Sequence, residues 1–252
     1  MLELKQISKK FYNSFYPALN NLSLHLNQGQ FCTIIGCNGS GKSTLLKIIS
    51  GEHKPDDGSI TIDGQDLTTH SISKRAKYIA SVVQDVKKGV VPEMNLLENM
   101  ILSKIRTNGP KLKLASTSRN EIVDELKAFS LDYLIDKPLS DISGGQLQVV
   151  ATIMAAISKP KILLLDEHTS ALDTNMQKVL MQITAQVTKK YNTTIMMVTH
   201  RLDDALNYGD RLIMLDQGKI VLDVAGSDKK AFTIQGITKL FHQYEDRSLG
   251  AL

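Results

Sequence analysis

The chain has 252 residues, of which 42% are hydrophobic and 22% charged, proportions that exclude disordered, collagen-like and coiled-coil fibrous proteins and leave room for one or two compact lobes. Its most apolar stretch, 149–157, falls far short of the roughly 18 residues of a membrane-spanning helix, and Met1-Leu2-Glu3-Leu4-Lys5 has no signal-peptide core, so a cytoplasmic chain is expected. Net charge is +4, too mild to indicate nucleic acid, and Cys32 and Cys37 have neither disulfide-framework nor zinc spacing.

Alternation of apolar residues at Leu2, Leu4 and Ile7, and again at Leu22, Leu24 and Leu26, predicts half-exposed strands. The run Phe31–Ile35 is apolar on both faces, as in a buried central strand. A helix follows through Leu45, Leu46, Ile48 and Ile49, ended by Gly51 and Pro55. Further strands are predicted at Ser59–Ile62 and Tyr78–Val83. Between Gln84 and Ser143 the pattern turns helical, at Leu96, Leu97, Met100 and Ile101 and again at Ile122, Val123, Leu126 and Phe129. A polar, basic loop with Asn108-Gly109-Pro110 separates them. Buried strands return at Ile162–Leu165 and Ile195–Val198. A hairpin turning at Gln217-Gly218 joins Leu212–Leu215 to Ile220–Val224, and an amphipathic helix near Ile234–Tyr244 closes the chain.

The chemistry concentrates in a few strings. Gly36-Cys37-Asn38-Gly39-Ser40-Gly41-Lys42-Ser43-Thr44 stands between a predicted strand and a predicted helix, the context that gives G-x-x-x-x-G-K-[ST] its specificity for phosphate. Its glycines let backbone N–H groups face an anion at a positive helix end. Lys42 would reach the β and γ phosphates of a nucleotide, and Ser43 would hold Mg2+. Ile162-Leu163-Leu164-Leu165-Asp166-Glu167 is an apolar strand ending in two acids. Asp166 suits the metal's surroundings and Glu167 suits a base that orients the attacking water. Ile142-Ser143-Gly144-Gly145-Gln146 opens a second helix with glycines and a hydroxyl, again suited to a phosphate.

With these strings in this order, the sequence resembles the ATP-binding subunit of ABC transporters from about Leu2 to Val224. The resemblance implies an α/β P-loop core with an antiparallel β subdomain (1–85 and 143–252) and an inserted helical subdomain at 86–142 that contacts a permease. It implies a head-to-tail dimer, most simply of two copies of this chain, in which Ser143, Gly144, Gly145 and Gln146 close over the partner's ATP. Gln84 resembles the glutamine that touches Mg2+ or water and senses the permease. Asp173, in Ser170-Ala171-Leu172-Asp173, resembles the D-loop at the dimer interface, a role compatible with capping a helix from Thr174. His200 resembles the switch histidine at the γ-phosphate. Phe11 fits the adenine-stacking aromatic by spacing, with Tyr12 and Tyr16 as alternatives.

The chain departs from the family pattern at Cys37 and His168, where proline is common, and at Leu147 and Val149, where basic residues often follow the signature. Its string Asp166-Glu167-His168-Thr169-Ser170-Ala171-Leu172-Asp173, with Arg211-Leu212-Ile213-Met214 and Val221-Leu222-Asp223-Val224, is similar to a bacterial subgroup of importers served by a periplasmic or lipoprotein binding protein, aromatic amino acids being one substrate class. The expected reading is therefore an ATPase subunit, peripheral on the cytoplasmic side of the membrane, that uses ATP and Mg2+ and no nucleic acid. An export or lipid-transport subunit, and a soluble ABC ATPase of iron–sulfur assembly type, remain as alternatives. From Asp85 to Arg119, seven basic residues face three acidic ones, which reads either as a solvated loop or as a surface toward anionic lipid.

Overall fold

Two sheets carry the architecture. The computed structural model describes residues 1–82, 85–108 and 119–249. Strands β1 (Leu2–Lys9), β2 (Leu19–Leu26), β4 (Asp57–Ile62) and β5 (Gln65–Asp66) form an antiparallel sheet in the order β2-β1-β4-β5. Leu2, Leu4, Leu22, Leu24 and Leu26 all turn their side chains into the core, the face that the period-two pattern assigns them.

The second sheet has six strands in the order β10-β9-β3-β8-β7-β6. They are β3 (Phe31–Gly36), β6 (Ile79–Val82), β7 (Ile162–Asp166), β8 (Thr194–Val198), β9 (Arg211–Asp216) and β10 (Lys219–Ala225). All are parallel except β10, which returns antiparallel to β9 through the Gln217-Gly218 turn. Because both faces of β7 and β8 are covered, successive side chains go to opposite cores. Leu163, Leu165, Ile195 and Met197 join the helices on one side, whereas Ile162, Leu164, Met196 and Val198 join the antiparallel sheet on the other. Each such fully buried side chain contributes about 2 kcal/mol relative to exposure.

The longer helices are α1 (Lys42–Ser50), α3 (Leu96–Asn108), α4 (Arg119–Lys127), α5 (Gly144–Ile157), α6 (Thr174–Tyr191) and α9 (Ile234–Leu249); α2 (Ile72–Arg75), α7 (Leu202–Asn207) and α8 (Gly226–Ala231) are short. Leu96, Met100, Ile122 and Leu126 of α3 and α4 pack with Leu147, Val150 and Ile153 of α5 in one cluster. α4 is further tied to α6 by Glu125, which accepts from Lys190 Nζ at 2.5 Å and from the Tyr191 hydroxyl at 2.6 Å. The amphipathic α9 sets Ile237, Leu240, Phe241 and Tyr244 against α7, β9 and β10.

Five parallel strands point their carboxyl ends the same way. With β3, β8 and β7 side by side, the loops after Gly36, Val198 and Asp166 emerge next to one another, where sheets of this kind hold their ligands.

Candidate functional site

The loop after β3 is shaped by backbone that only glycine tolerates. Gly36 has φ +149°, and a Cβ there would stand 2.2 Å from Leu215 O and 2.6 Å from Ser40 Oγ; at Gly41, φ +105°, it would stand 2.3 Å from Ala18 O. The turn is closed by Ser40 N donating to Cys37 O at 3.1 Å. It is buttressed from the β9–β10 hairpin by Gly218 N, which donates to Ser40 O at 3.0 Å. Lys42, largely buried, folds over the loop and donates to Gly36 O at 2.8 Å and Cys37 O at 2.9 Å. Burial holds its pKa below the ordinary lysine value, against the opposing charges of Glu167, Cys37 and Asp166. The buried Ser40 hydroxyl has no hydrogen-bond partner.

Asp166, at the end of β7, accepts a hydrogen bond from Ser43 in the first turn of α1. Burial, reinforced by the charge of Glu167, lifts its pKa above the usual carboxylate value, while Ser43, Lys47 and Lys42 pull it down. Its Oδ1 is buried and unpartnered. Glu167 follows with φ +49°, a left-handed backbone in a non-glycine residue. Its N–H donates to Val198 O at 3.0 Å, and its Oε1 lies 2.6 Å from His200 Nε2. The amides of a glycine-shaped turn, a cation, a hydroxyl–carboxylate pair and a carboxylate–imidazole pair thus share one edge of the sheet. That set can bind a polyphosphate and hold a water for attack.

At the start of α5, Ser143 and Gln146 form a reciprocal capping box. Ser143 Oγ accepts from Gln146 N at 3.2 Å, and Gln146 Oε1 accepts from Ser143 N at 3.1 Å. Gln146 also reaches the hydroxyl of exposed Tyr133 at 3.4 Å. A Cβ at Gly144 would meet nothing within 4 Å, whereas at Gly145 it would stand 2.6 Å from Met176 Cγ, so Gly145 lets α5 and α6 approach. Asp173 caps α6, accepting from Asn175 N at 2.9 Å and Met176 N at 3.1 Å.

Phe11 is pinned edge-on against His53, with ring centroids 5.3 Å apart, and lies under Lys9 Nζ, whereas Tyr12, Phe15 and Tyr16 are fully or largely exposed. Gln84 lies outside the described residues, as do 109–118 of the basic window. In that window Arg119 pairs with Asp136, and Lys88 lies 3.6 Å from Asp85.

Sequence reasoning missed Arg75. Its guanidinium is buried and donates to Ile48 O, Ile49 O, Thr68 O and His70 O at 2.6–3.1 Å, closing the carbonyl end of α1, whose amino end forms the phosphate loop. No motif marks it, since an arginine in Ser73-Lys74-Arg75 reads as surface. Also missed was a network behind Glu167. There the His168 ring meets Thr184, Gln177 Nε2 donates to Thr169 O and Leu172 O, and Asp204 hydrogen-bonds Thr169 and Arg201.

A sequence profile described as "ABC transporter" matches residues 19–170, more than half of the chain. The chain belongs to the ABC transporter family. This cassette is 40% identical over 249 residues to a tyrosine transport ATP-binding protein of Clostridioides difficile (strain R20291), with 96% of this chain and 98% of that protein covered. It is 35% identical over 224 residues to the spermidine/putrescine import ATP-binding protein PotA of Legionella pneumophila (strain Paris), spanning 87% of this chain but 58% of the longer relative. Among solved structures, the cassette is similar to cbiO1 from Clostridium perfringens, part of the ABC transporter complex cbiONQ (TM-score 0.80, 25% identity, 100% and 98% covered). It is also similar to a dimeric, post-hydrolysis ATP-binding cassette bound to ADP and Pi (TM-score 0.73, 30% identity, 89% and 98% covered). The cassette is accordingly an ABC-type ATPase, an ATP-binding transporter subunit.

Proposed function

We propose that this cassette energises the import of a small solute, with an amino acid as the favoured cargo, from the cytoplasmic face of the membrane. The contact between Glu167 and His200, 2.6 Å apart beside the phosphate loop, supports an active ATPase more than a catalytically silent module. In this reading the amides and glycines of 36–41, with Asn38, Ser40 and Thr44, bind the phosphates. Lys42 carries the β–γ charge, Phe11 or a neighbouring tyrosine stacks on adenine, and His200 meets the γ-phosphate. Glu167 accepts the proton of the attacking water. Ser143, Gly144, Gly145 and Gln146 close over the nucleotide of a second copy, beside Asp173.

The donors present fit Mg2+. The ion prefers a few protein oxygens together with substrate phosphates, and Ser43 with the unpartnered Oδ1 of Asp166 offers such oxygens. Gln84 would be a third. When bound, the ion neutralises charge on the transferring phosphoryl group.

No helix among the described residues is long and apolar enough to cross a membrane, which supports a peripheral subunit working with a separate permease. A cavity lined by Val82, Val86, Val90, Asn99, Ala151 and Met154 lies between β6, α3 and α5. A permease segment would rest there. Import of an amino acid draws support from the tyrosine transport relative, alike over nearly its whole length. In this reading the cargo reaches the permease from a binding protein outside the membrane.

The test is mass spectrometry of what copurifies with the tagged chain from detergent-solubilised membranes of its own host. A multispanning permease, whose companion binding protein takes up an amino acid, is the expected result. Soluble partners alone, with ATPase activity intact, would overturn the transporter reading.

A further inference from the structure

We infer that His168 is a positioning residue for Glu167: its buried imidazole, bonded to Thr184 of α6, fixes the chain as it leaves β7 and so aims the Glu167 carboxylate. The inference rests on the reading of Glu167 as the base.

Glu167 needs such support. Its left-handed φ of +49° is unfavourable for a residue with a side chain and persists where the surroundings over-determine it. On its amino side, the backbone is held by the bond from Glu167 N to Val198 O. On its carboxyl side, the next residue is His168, 2% exposed, whose Nε2 lies 3.3 Å from Thr184 Oγ1.

The proton on that bond can be assigned. Thr184 Oγ1 lies 2.8 Å from Leu180 O. A carbonyl has no proton to give, so the single hydroxyl proton points at Leu180. His168 must then donate from Nε2, leaving Nδ1 as an acceptor, and Nδ1 is buried without a partner. A leucine would fill this space with no unmet polar atom, so packing alone does not account for an imidazole here. Its donor does: it ties the residue next to Glu167 to the long helix α6. Downstream, Gln177 of the same helix holds Thr169 O and Leu172 O, so α6 templates the whole turn after the base.

The test measures kcat and KM for ATP, with melting temperature, on the full chain carrying H168L, T184V, both, H168Q, or E167Q as control. H168L and T184V are each expected to lower kcat about tenfold, as for a small misplacement of a reacting group, with KM within about twofold; the melting temperature should not fall in H168L, whereas T184V leaves the buried His168 donor unpaired and should melt lower. The double variant should be no slower than either single one, because both break the same bond. H168Q, which keeps a donor for Thr184, should recover most of the turnover. Wild-type kcat in H168L, losses that multiply in the double variant, or H168Q as slow as H168L would each overturn the inference. If H168L fails to fold, T184V and H168Q decide it by the same criteria. Turnover persisting in E167Q would instead remove the reading of Glu167 as base, whereas an inactive E167Q beside a fully active H168L would remove only the role of His168.

Discussion

Glu167 and His200, 33 residues apart in sequence, meet at 2.6 Å because β7 and β8 are adjacent parallel strands that end at the same level. Asp166 pairs with Val198 in the register, so the residues that follow each strand must face one another. A carboxylate and an imidazole at this distance act as a unit. E167Q should lower ATP turnover by about 100-fold or more while leaving nucleotide binding intact. H200A should also be slow, and the double variant little slower than the worse single one. Steady-state ATPase assays with a nucleotide-binding measurement check this, and multiplicative losses would separate the two roles.

The phosphate loop carries a thiol. Cys37 is partly exposed, and its carbonyl receives both Lys42 Nζ and Ser40 N, so a group added to its sulfur crowds the loop. Alkylation with N-ethylmaleimide should abolish ATP turnover, and MgATP should slow the loss. Cys32 is fully buried, and burial pushes its thiol up to about 12, so peptide mapping should place the modification on Cys37. Equal inactivation with and without nucleotide would contradict this picture.

Arg75 is 1% exposed and serves four carbonyls. Arg75→Met would take the guanidinium from all four, leaving Ile48 O with Gly51 N at 3.3 Å, and urea unfolding should show a loss of about 3 kcal/mol. Lysine, a point charge with three donors, should restore part of it. A change under about 1 kcal/mol would mean that water replaces the guanidinium.

Burial pushes the His168 pKa down from 6.5 to about 3. Between those values the unfolded chain binds a proton that the folded chain refuses, so the contribution of this site is complete above pH 6.5 and lost as the pH falls toward 3. The slope is up to about 1.4 kcal/mol per pH unit. Stability followed from pH 7 to 4 should therefore fall more steeply in the wild type than in H168L. Parallel curves would show that His168 charges without opening the fold.

Much of the fold was legible because periodicity and glycine spacing are local. The apolar run Phe31–Ile35 is the buried β3, between β8 and β9, and Gly51, predicted to end α1, caps it with φ +90°. That Asp166 and Lys42 end up near each other is readable too, since a parallel sheet presents its strand ends together. What stayed hidden depends on pairing across the chain. Gly218 N bracing Ser40, Arg75 closing α1 and His168 reaching Thr184 join segments whose sequences give no sign of one another. The capping box at Ser143 and Gln146 was local in form, but the same residues resemble a phosphate-facing signature, which drew the reading toward function alone.

The central claim is that two copies close on ATP at the edge where Lys42, Asp166, Glu167 and His200 meet, each completed by the Ser143–Gln146 segment of the other. The most direct measurement is the oligomeric state of the E167Q chain by analytical ultracentrifugation, with and without MgATP, together with the nucleotide retained. A monomer that becomes a dimer with one ATP per chain, and fails to do so when S143R or K42A is added, is the predicted result. A species that stays monomeric at saturating MgATP, or dimerises regardless of nucleotide and of Ser143, would contradict the account.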